Sequence, residues 1–217
     1  MSGSIAGMRR IVITGMGVVS AIGNSVAEFE KNLFAGAHGI GKAHFSCKGR
    51  DFVFPAAAVK DFAPEKFMNP KQVPMLDRFS QFAVAAARQA LDDSKLIFTP
   101  ELAERTGVIT GSGVGGQSTL EDSYMRLLGE GPPRVHPFTI PRLMINAGSS
   151  QISMDSGITG PGFTVASACA SAIHAMGVTL SMLRSGFIDA AITGGAEACL
   201  TFGTLKGGEA LGVLAPV

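Results

Sequence analysis

The stretch GPGFTVASACASAIHAMG, residues 160–177, changes its periodicity halfway along. Gly162 to Ala168 is a β-like run of small, β-branched and aromatic residues, and from Ala170 to Arg184 an Ala-rich pattern predicts a helix. A strand running straight into a helix places Cys169 on the turn between them, at the helix N-terminus. Unpaired N–H groups at such a terminus favour an anion. A thiolate is one, so the position is expected to lower the thiol pKa and raise its reactivity. The neighbours Ser167, Ala168, Ala170 and Ser171 are small enough to leave a substrate room. The same strand, turn and helix carries the nucleophile of α/β hydrolases. The competing reading is a buried apolar filler, since free cysteine is among the most buried residue types. Local context leaves both readings open.

A cysteine nucleophile takes a base or donor from elsewhere. His174 follows five residues later, and at about 100° per residue it points away from the sulfur, so it reads as a core histidine. His38, His44 and His136 have nothing in their surroundings to recommend them. Cys47 and Cys199 lack the turn context and read as structural.

Working outward, Arg10 to Thr14 (RIVIT) reads as a central strand, and Ser25 caps a helix over VAEFEKNLF that stops at Gly36. Phe52 to Val59 is a second candidate strand. Asp77 to Ser94 is the clearest helix, and 106–113 a strand entering a glycine turn. Helices are expected over Ser118–Leu128 and Arg142–Met154, with a final strand and turn in DAAITGGAEA, 189–198. Strands alternating with helices point to an α/β fold whose mostly parallel mixed sheet is covered by helices.

Hydrophobic residues make up 46% of the 217, and charged residues only 16%, so little surface is left for water and a covering partner or domain is expected. The net charge of +1 gives no nucleic-acid footprint. Three widely spaced cysteines argue against a disulfide framework and for a reducing, cytoplasmic setting. No His/Cys cluster has metal spacing. Ser156 to Leu183 carries no Asp, Glu, Lys or Arg, but its Pro161, glycines and serines are wrong for a membrane span. The start, MSGSIAGM, lacks the apolar core of a signal peptide and reads as a tail over 1–8, with one domain over 9–217.

Two glycine patches imitate nucleotide sites. GMGVVS at 15–20 lacks the third glycine of a dinucleotide fingerprint, and GSGVGG at 111–116 lacks the Gly-Lys-Ser/Thr of a phosphate loop. Both read as close backbone packing.

Taken together, RRIVITGMGVVSAIGN near the start, LDRFSQFAVAAARQAL at 76–91, GVITGSGVGG at 107–116, HPFTIPRLMIN at 136–146, the stretch at 160–177 and DAAITGGAEACL at 189–200 form an ordered set. With these motifs the chain resembles the N-terminal half of the β-ketoacyl-acyl-carrier-protein synthases, the type II condensing enzymes of fatty acid synthesis. The resemblance implies a thiolase-like fold, of which this chain is the N-terminal α/β half, in a homodimer paired through a strand at 162–167. It implies Cys169 as the nucleophile of a decarboxylating Claisen condensation between an acyl thioester and a malonyl thioester. Its backbone N–H would be one oxyanion donor. Val114 and Thr139 match positions that line the acyl pocket, and Phe138, beside Thr139, is counted with them. The partner implied is acyl carrier protein, which delivers its own phosphopantetheine arm, so no resident cofactor is expected.

The resemblance also implies two catalytic histidines in a C-terminal half outside these 217 residues, so the chain alone is not expected to complete the condensation. KQVPMLDR keeps only Lys71 and Arg78 of the basic cluster that meets the carrier, and Gly208 and Gly212 replace bulkier or basic residues. The alternative function is a non-catalytic chain-length or scaffold subunit of a split or polyketide-type synthase.

Overall fold

The computed structural model describes residues 9–216, so the expected tail over 1–8 lies outside the described residues. The first helix, α1 (Val26–Phe34), is capped by Ser25, whose Oγ accepts from the Glu28 N–H at 3.3 Å. Glu28 reaches back to the Asn24 N–H at 2.8 Å. Next, β1 (Gly41–Cys47) and β2 (Arg50–Ala56) form an antiparallel hairpin. Its two-residue turn has Lys48 at φ 51° and Gly49 at φ 71°, the pair of left-handed residues that matches the twist of the flanking strands. Phe45, Phe52 and Phe54 of the hairpin pack around Phe202, with ring centroids 5.0–6.4 Å from it.

The long helix α2 (Arg78–Ser94) begins at Asp77, and short α3 (Pro100–Glu104) begins at Thr99; both caps accept backbone N–H groups of the first turn. Then follow β3 (Thr106–Gly111), α4 (Gln117–Leu128), α5 (Thr139–Leu143), α6 (Ala147–Ser156), β4 (Gly162–Val165), α7 (Ser171–Ser185), β5 (Ala190–Gly195) and α8 (Phe202–Ala210). The three later strands make an all-parallel sheet in the order β4-β3-β5. Every residue of β3 is buried because it is central and both its faces are covered.

Alternate side chains of β3 serve opposite layers. Val108 packs with Val84, Ala87 and Ile152 on the α2 and α6 side. Ile109 packs with Ala175 and Ile188 on the α7 side. Fully burying each such aliphatic side chain stabilises by about 1.5–3 kcal/mol. Arg88 of α2 makes a two-pronged ion pair with Asp155 of α6, with Nε at 2.7 Å, which fixes the two helices of the outer layer. Among the described residues no helix is long and apolar enough to cross a membrane.

The segment expected to be a central strand, Arg10–Thr14, pairs with no strand. The reason lies in what holds the chain just after it. The Met16 N–H donates to Asp93 and the Val18 N–H to Gln89, while Gln89 Nε2 donates back to Val18 O. The glycine patch here does what packing requires: a Cβ on Gly17 would stand 1.9 Å from Ala86 O. The segment therefore follows α2 and stands off from β5. A largely apolar hollow of about 770 Å³ lies between them.

Two further expectations change. The helix expected over Arg142–Met154 is two helices, because Met144 turns to ψ 135° between α5 and α6. Among the described residues the sheet around Cys169 is parallel, where a mixed one is expected; antiparallel pairing occurs in the separate hairpin and in an isolated bridge between Ser20 and Gly23.

Candidate active site

The geometry of the site starts with β3 and α7. A Cβ on Gly111 would stand 2.3 Å from Ser171 C and 2.4 Å from Ala172 N. Only glycine lets the first turn of α7 rest on the end of the central strand. The residues between β4 and α7 are thereby squeezed into a tight elbow. Ala168 there has φ 51°, a left-handed conformation that a residue with a Cβ adopts at a cost of the order of 1–3 kcal/mol when the surroundings enforce it.

Ser171 enforces it from inside. Its buried Oγ donates to Ala168 O at 2.7 Å and accepts from the Ser167 N–H at 2.9 Å. The Ala170 N–H donates to Ser167 O at 3.1 Å, closing a short 3-10 turn over Ala168–Ala170 ahead of α7. Cys169 sits at the middle of that turn and is exposed. The strand-to-helix placement expected from sequence holds, and the reading of Cys169 as a buried core filler does not. Among the described residues the Cys169 N–H donates to no acceptor, so a free backbone donor lies beside the sulfur.

His174 is exposed, not a core histidine. Its Nδ1 lies 2.6 Å from Ser167 Oγ. His136 also has a local role: its Nδ1 accepts the Phe138 N–H at 3.1 Å ahead of α5. Cys199 is half-buried, and that burial, with Glu197 nearby, pushes its thiol above the usual range. Cys47 ends β1 at the hairpin turn.

The loop after β3 lies next to the elbow. A Cβ on Gly113 would be 3.9 Å from the Cα of Ala168. Glu197, just past β5, clamps this loop: its Oε2 accepts the N–H groups of Gly113 at 2.7 Å and Val114 at 3.3 Å, and Oε1 accepts from Ser112 Oγ at 3.3 Å. Sequence reasoning missed Glu197, although an acidic residue directly after the strand-ending TGGA was its signal. Val114 is half exposed beside this clamp. The α5 backbone meets the same loop, since the Gly116 N–H donates to Leu143 O at 3.2 Å. Thr139, the first residue of α5, is buried with its Oγ1 donating to His136 O at 2.6 Å, and Phe138 before it is 42% exposed. The fold thus connects Val114 to the elbow through the adjacent Gly113, and Phe138 and Thr139 to the same loop through α5. None of the four residues Cys169, Val114, Phe138 and Thr139 lines the large hollow along Ile11–Val18. Among the described residues no cluster of three His, Cys, Asp or Glu side chains could hold a metal ion.

Comparison with known proteins bears on these features. Residues 8–217 match the family model described as beta-ketoacyl synthase, N-terminal domain. The chain is 38% identical over 199 residues to 3-oxoacyl-[acyl-carrier-protein] synthase 2 of Staphylococcus aureus, covering 92% of this chain and 48% of that protein. It is 36% identical over 194 residues to the Synechocystis protein of the same name, covering 89% and 46%. The chain spans about half the length of these curated relatives. Among solved structures, the ishigamide ketosynthase/chain length factor superimposes with a TM-score of 0.85 at 32% identity, over 97% of this chain and 52% of that one. A beta-ketoacyl synthase from Burkholderia phymatum superimposes with a TM-score of 0.78 at 27% identity, over 94% and 50%. The fold is therefore the thiolase-like one expected, and the chain belongs to the β-ketoacyl synthase family, whose N-terminal domain it carries.

Proposed function

We propose that this chain supplies the acyl-accepting nucleophile of a 3-oxoacyl-[acyl-carrier-protein] synthase, and that Cys169 is that nucleophile. The observation that carries the reading is the exposed sulfur on a strained turn, with an unused N–H at the same residue. In the first half-reaction the Cys169 thiolate attacks the carbonyl carbon of an acyl thioester. The tetrahedral oxyanion is met by the Cys169 N–H, and the carrier thiolate leaves as the acyl group passes to the cysteine. In the second, a malonyl thioester loses carbon dioxide and its carbanion attacks the acyl-cysteine. That forms the new carbon–carbon bond and returns the thiolate. The histidines that the family resemblance implies for decarboxylation are those of the C-terminal half. The condensation is therefore assigned to the whole synthase and the acyl transfer to this domain.

Val114, Phe138 and Thr139 are proposed to line the acyl chain, on the strength of their linkage to the elbow through the 112–116 loop and α5. Acyl carrier protein is the proposed partner, as the names of the relatives suggest, with its own phosphopantetheine arm as the only prosthetic group involved. Pairing through 162–167 into a homodimer fits β4 as an outer strand with Phe163 partly exposed. A cytoplasmic setting fits the chemistry.

A second reading is favoured by one finding, the likeness to a ketosynthase/chain length factor structure: a subunit that shapes the product without accepting acyl groups. Covalent labelling separates the two. Incubation with cerulenin followed by peptide mapping is expected to place the adduct on Cys169. Labelling spread evenly over Cys47, Cys169 and Cys199 would count against the nucleophile.

A further inference from the structure

We infer that His174 is a positioning residue for Cys169, acting through Ser167 and not on the sulfur itself; this rests on the reading of Cys169 as the nucleophile. Three observations meet at this point. His174 Nδ1 lies 2.6 Å from Ser167 Oγ, seven residues back along the chain. Ser167 opens the elbow, with φ −150° and ψ 47°, directly before the left-handed Ala168. Ser171, three residues before His174, grips the same two residues from the same helix.

Helix geometry explains why both side chains reach the turn. Side chains on a helix lean toward its N-terminus, and residues three apart share a face. Ser171 and His174 therefore stand one above the other on α7 and point down onto Ser167 and Ala168. The same geometry turns the imidazole away from Cys169, so it takes no proton from the thiol directly. Ser171 holds the backbone of the elbow, through Ser167 N–H and Ala168 O. His174 holds the one side chain at its entrance. With both in place, the strained φ of Ala168 is fixed and so is the direction in which Cys169 leaves the turn. With only Ser171, Ser167 can rotate and the elbow has a softer first hinge.

The Ser167 bond does not require one protonation state. Ser167 can donate to a bare Nδ1 or accept from Nδ1–H, because a hydroxyl does both. The role assigned is orientation, which makes it separable from proton transfer and from packing by substitution. Asn places an oxygen or amide nitrogen where Nδ1 stands but has no ring. Phe keeps a ring and has nothing to offer Ser167.

The test is the second-order rate constant for Cys169 alkylation by iodoacetamide at fixed pH, read by peptide mass spectrometry in the whole chain. Cys47 and Cys199 serve as internal references and thermal unfolding as a check on the fold. His174→Phe is expected to slow Cys169 about fivefold, the effect of one lost hydrogen bond, while His174→Asn retains most of the rate. Ser167→Ala is expected to match His174→Phe, and the double variant to be no slower than either single one. Retention in Phe with loss in Asn would overturn the inference in favour of ring packing, and unchanged rates in all variants would overturn it outright. Failure of the nucleophile reading looks different: in the unsubstituted chain Cys169 would then react no faster than Cys47.

Discussion

Gly111 and Ser171 touch backbone to backbone, so closely that a single methyl group on Gly111 would stand 2.3 Å from the carbonyl carbon of Ser171. This contact ties the end of the central strand to the start of the helix behind the cysteine. Gly111→Ala must push α7 away from β3, with an overpacking cost of about 1–3 kcal/mol. The expected result is a lower thermal midpoint together with slower alkylation of Cys169. An unchanged midpoint would mean that α7 can slide, and that the elbow is not set by β3.

Asp77 joins two helices that are distant in sequence. It is buried; Oδ1 accepts the Phe79 N–H at 3.2 Å, and Oδ2 accepts both the N–H of Thr119, at 2.8 Å, and its Oγ1–H, at 2.6 Å. Asp77→Ala strands these buried donors at a cost of about 1–3 kcal/mol each when no water replaces the carboxylate. Urea unfolding should show a lower midpoint. Asp77→Asn keeps one acceptor oxygen and is expected to lose less. Equal losses for the two would show that the charge, not the acceptor count, holds Thr119.

Asp189 gives the chain a test in acid. Hydrogen bonds from Arg105 first and Arg9 second hold its carboxyl at about 2, below the ordinary 3.8. A carboxyl whose folded pKa is depressed adds stability that is complete above the unfolded pKa and is lost as pH falls through the folded one. The contribution of Asp189 is therefore intact at pH 5 and disappears between about 4 and 2. Carbon-detected NMR of the carboxylate should follow this titration. Arg105→Ala should move it upward, and an Asp189 that titrates near 3.8 in the unsubstituted chain would contradict the pairing.

The cysteines should separate by pH. Burial, with Glu197 adding to it, raises the Cys199 thiol, so at neutral pH it is almost wholly protonated and alkylates slowly. Its rate should climb as the solution is made alkaline, reaching half-maximum above the usual range for a free thiol. Cys169 is exposed and is expected to be modified first at pH 7. Faster labelling of Cys199 at that pH would contradict the burial.

Several large apolar side chains on and just after α7 are exposed, namely Ile173, Met176, Val178 and Phe187. Apolar surface left in water favours association. Light scattering on the 217-residue chain is expected to report self-association; a stable monomer would show that these side chains tolerate solvent.

Much of this fold is legible wherever one local signal settles the structure. Ser25 with Glu28 gives the start of α1, Asp77 that of α2, and the uncharged, β-branched run TGVIT before Gly111 gives the buried strand. Cys169 on its turn is legible for the same reason, since the period changes there. The hairpin strand Gly41–Cys47 is missed although Ala43, Phe45 and Cys47 alternate with Lys42, His44 and Ser46 ahead of the Lys48–Gly49 turn, because the apolar members are few and only half-buried. Arg10–Thr14 has the composition of a strand, but composition does not say which neighbour takes its backbone groups. The roles of Glu197 and His174 are long-range or back-reaching contacts, which depend on where β5 and α7 end up and leave little trace in local spacing.

The most direct measurement is acyl loading. The chain is incubated with an acyl-[acyl carrier protein] thioester and its intact mass recorded before and after hydroxylamine, which cleaves thioesters. The account predicts a gain of one acyl group, on Cys169 by peptide mapping, removed by hydroxylamine and absent in Cys169→Ala. An acyl group that still loads onto the Cys169→Ala chain would contradict it.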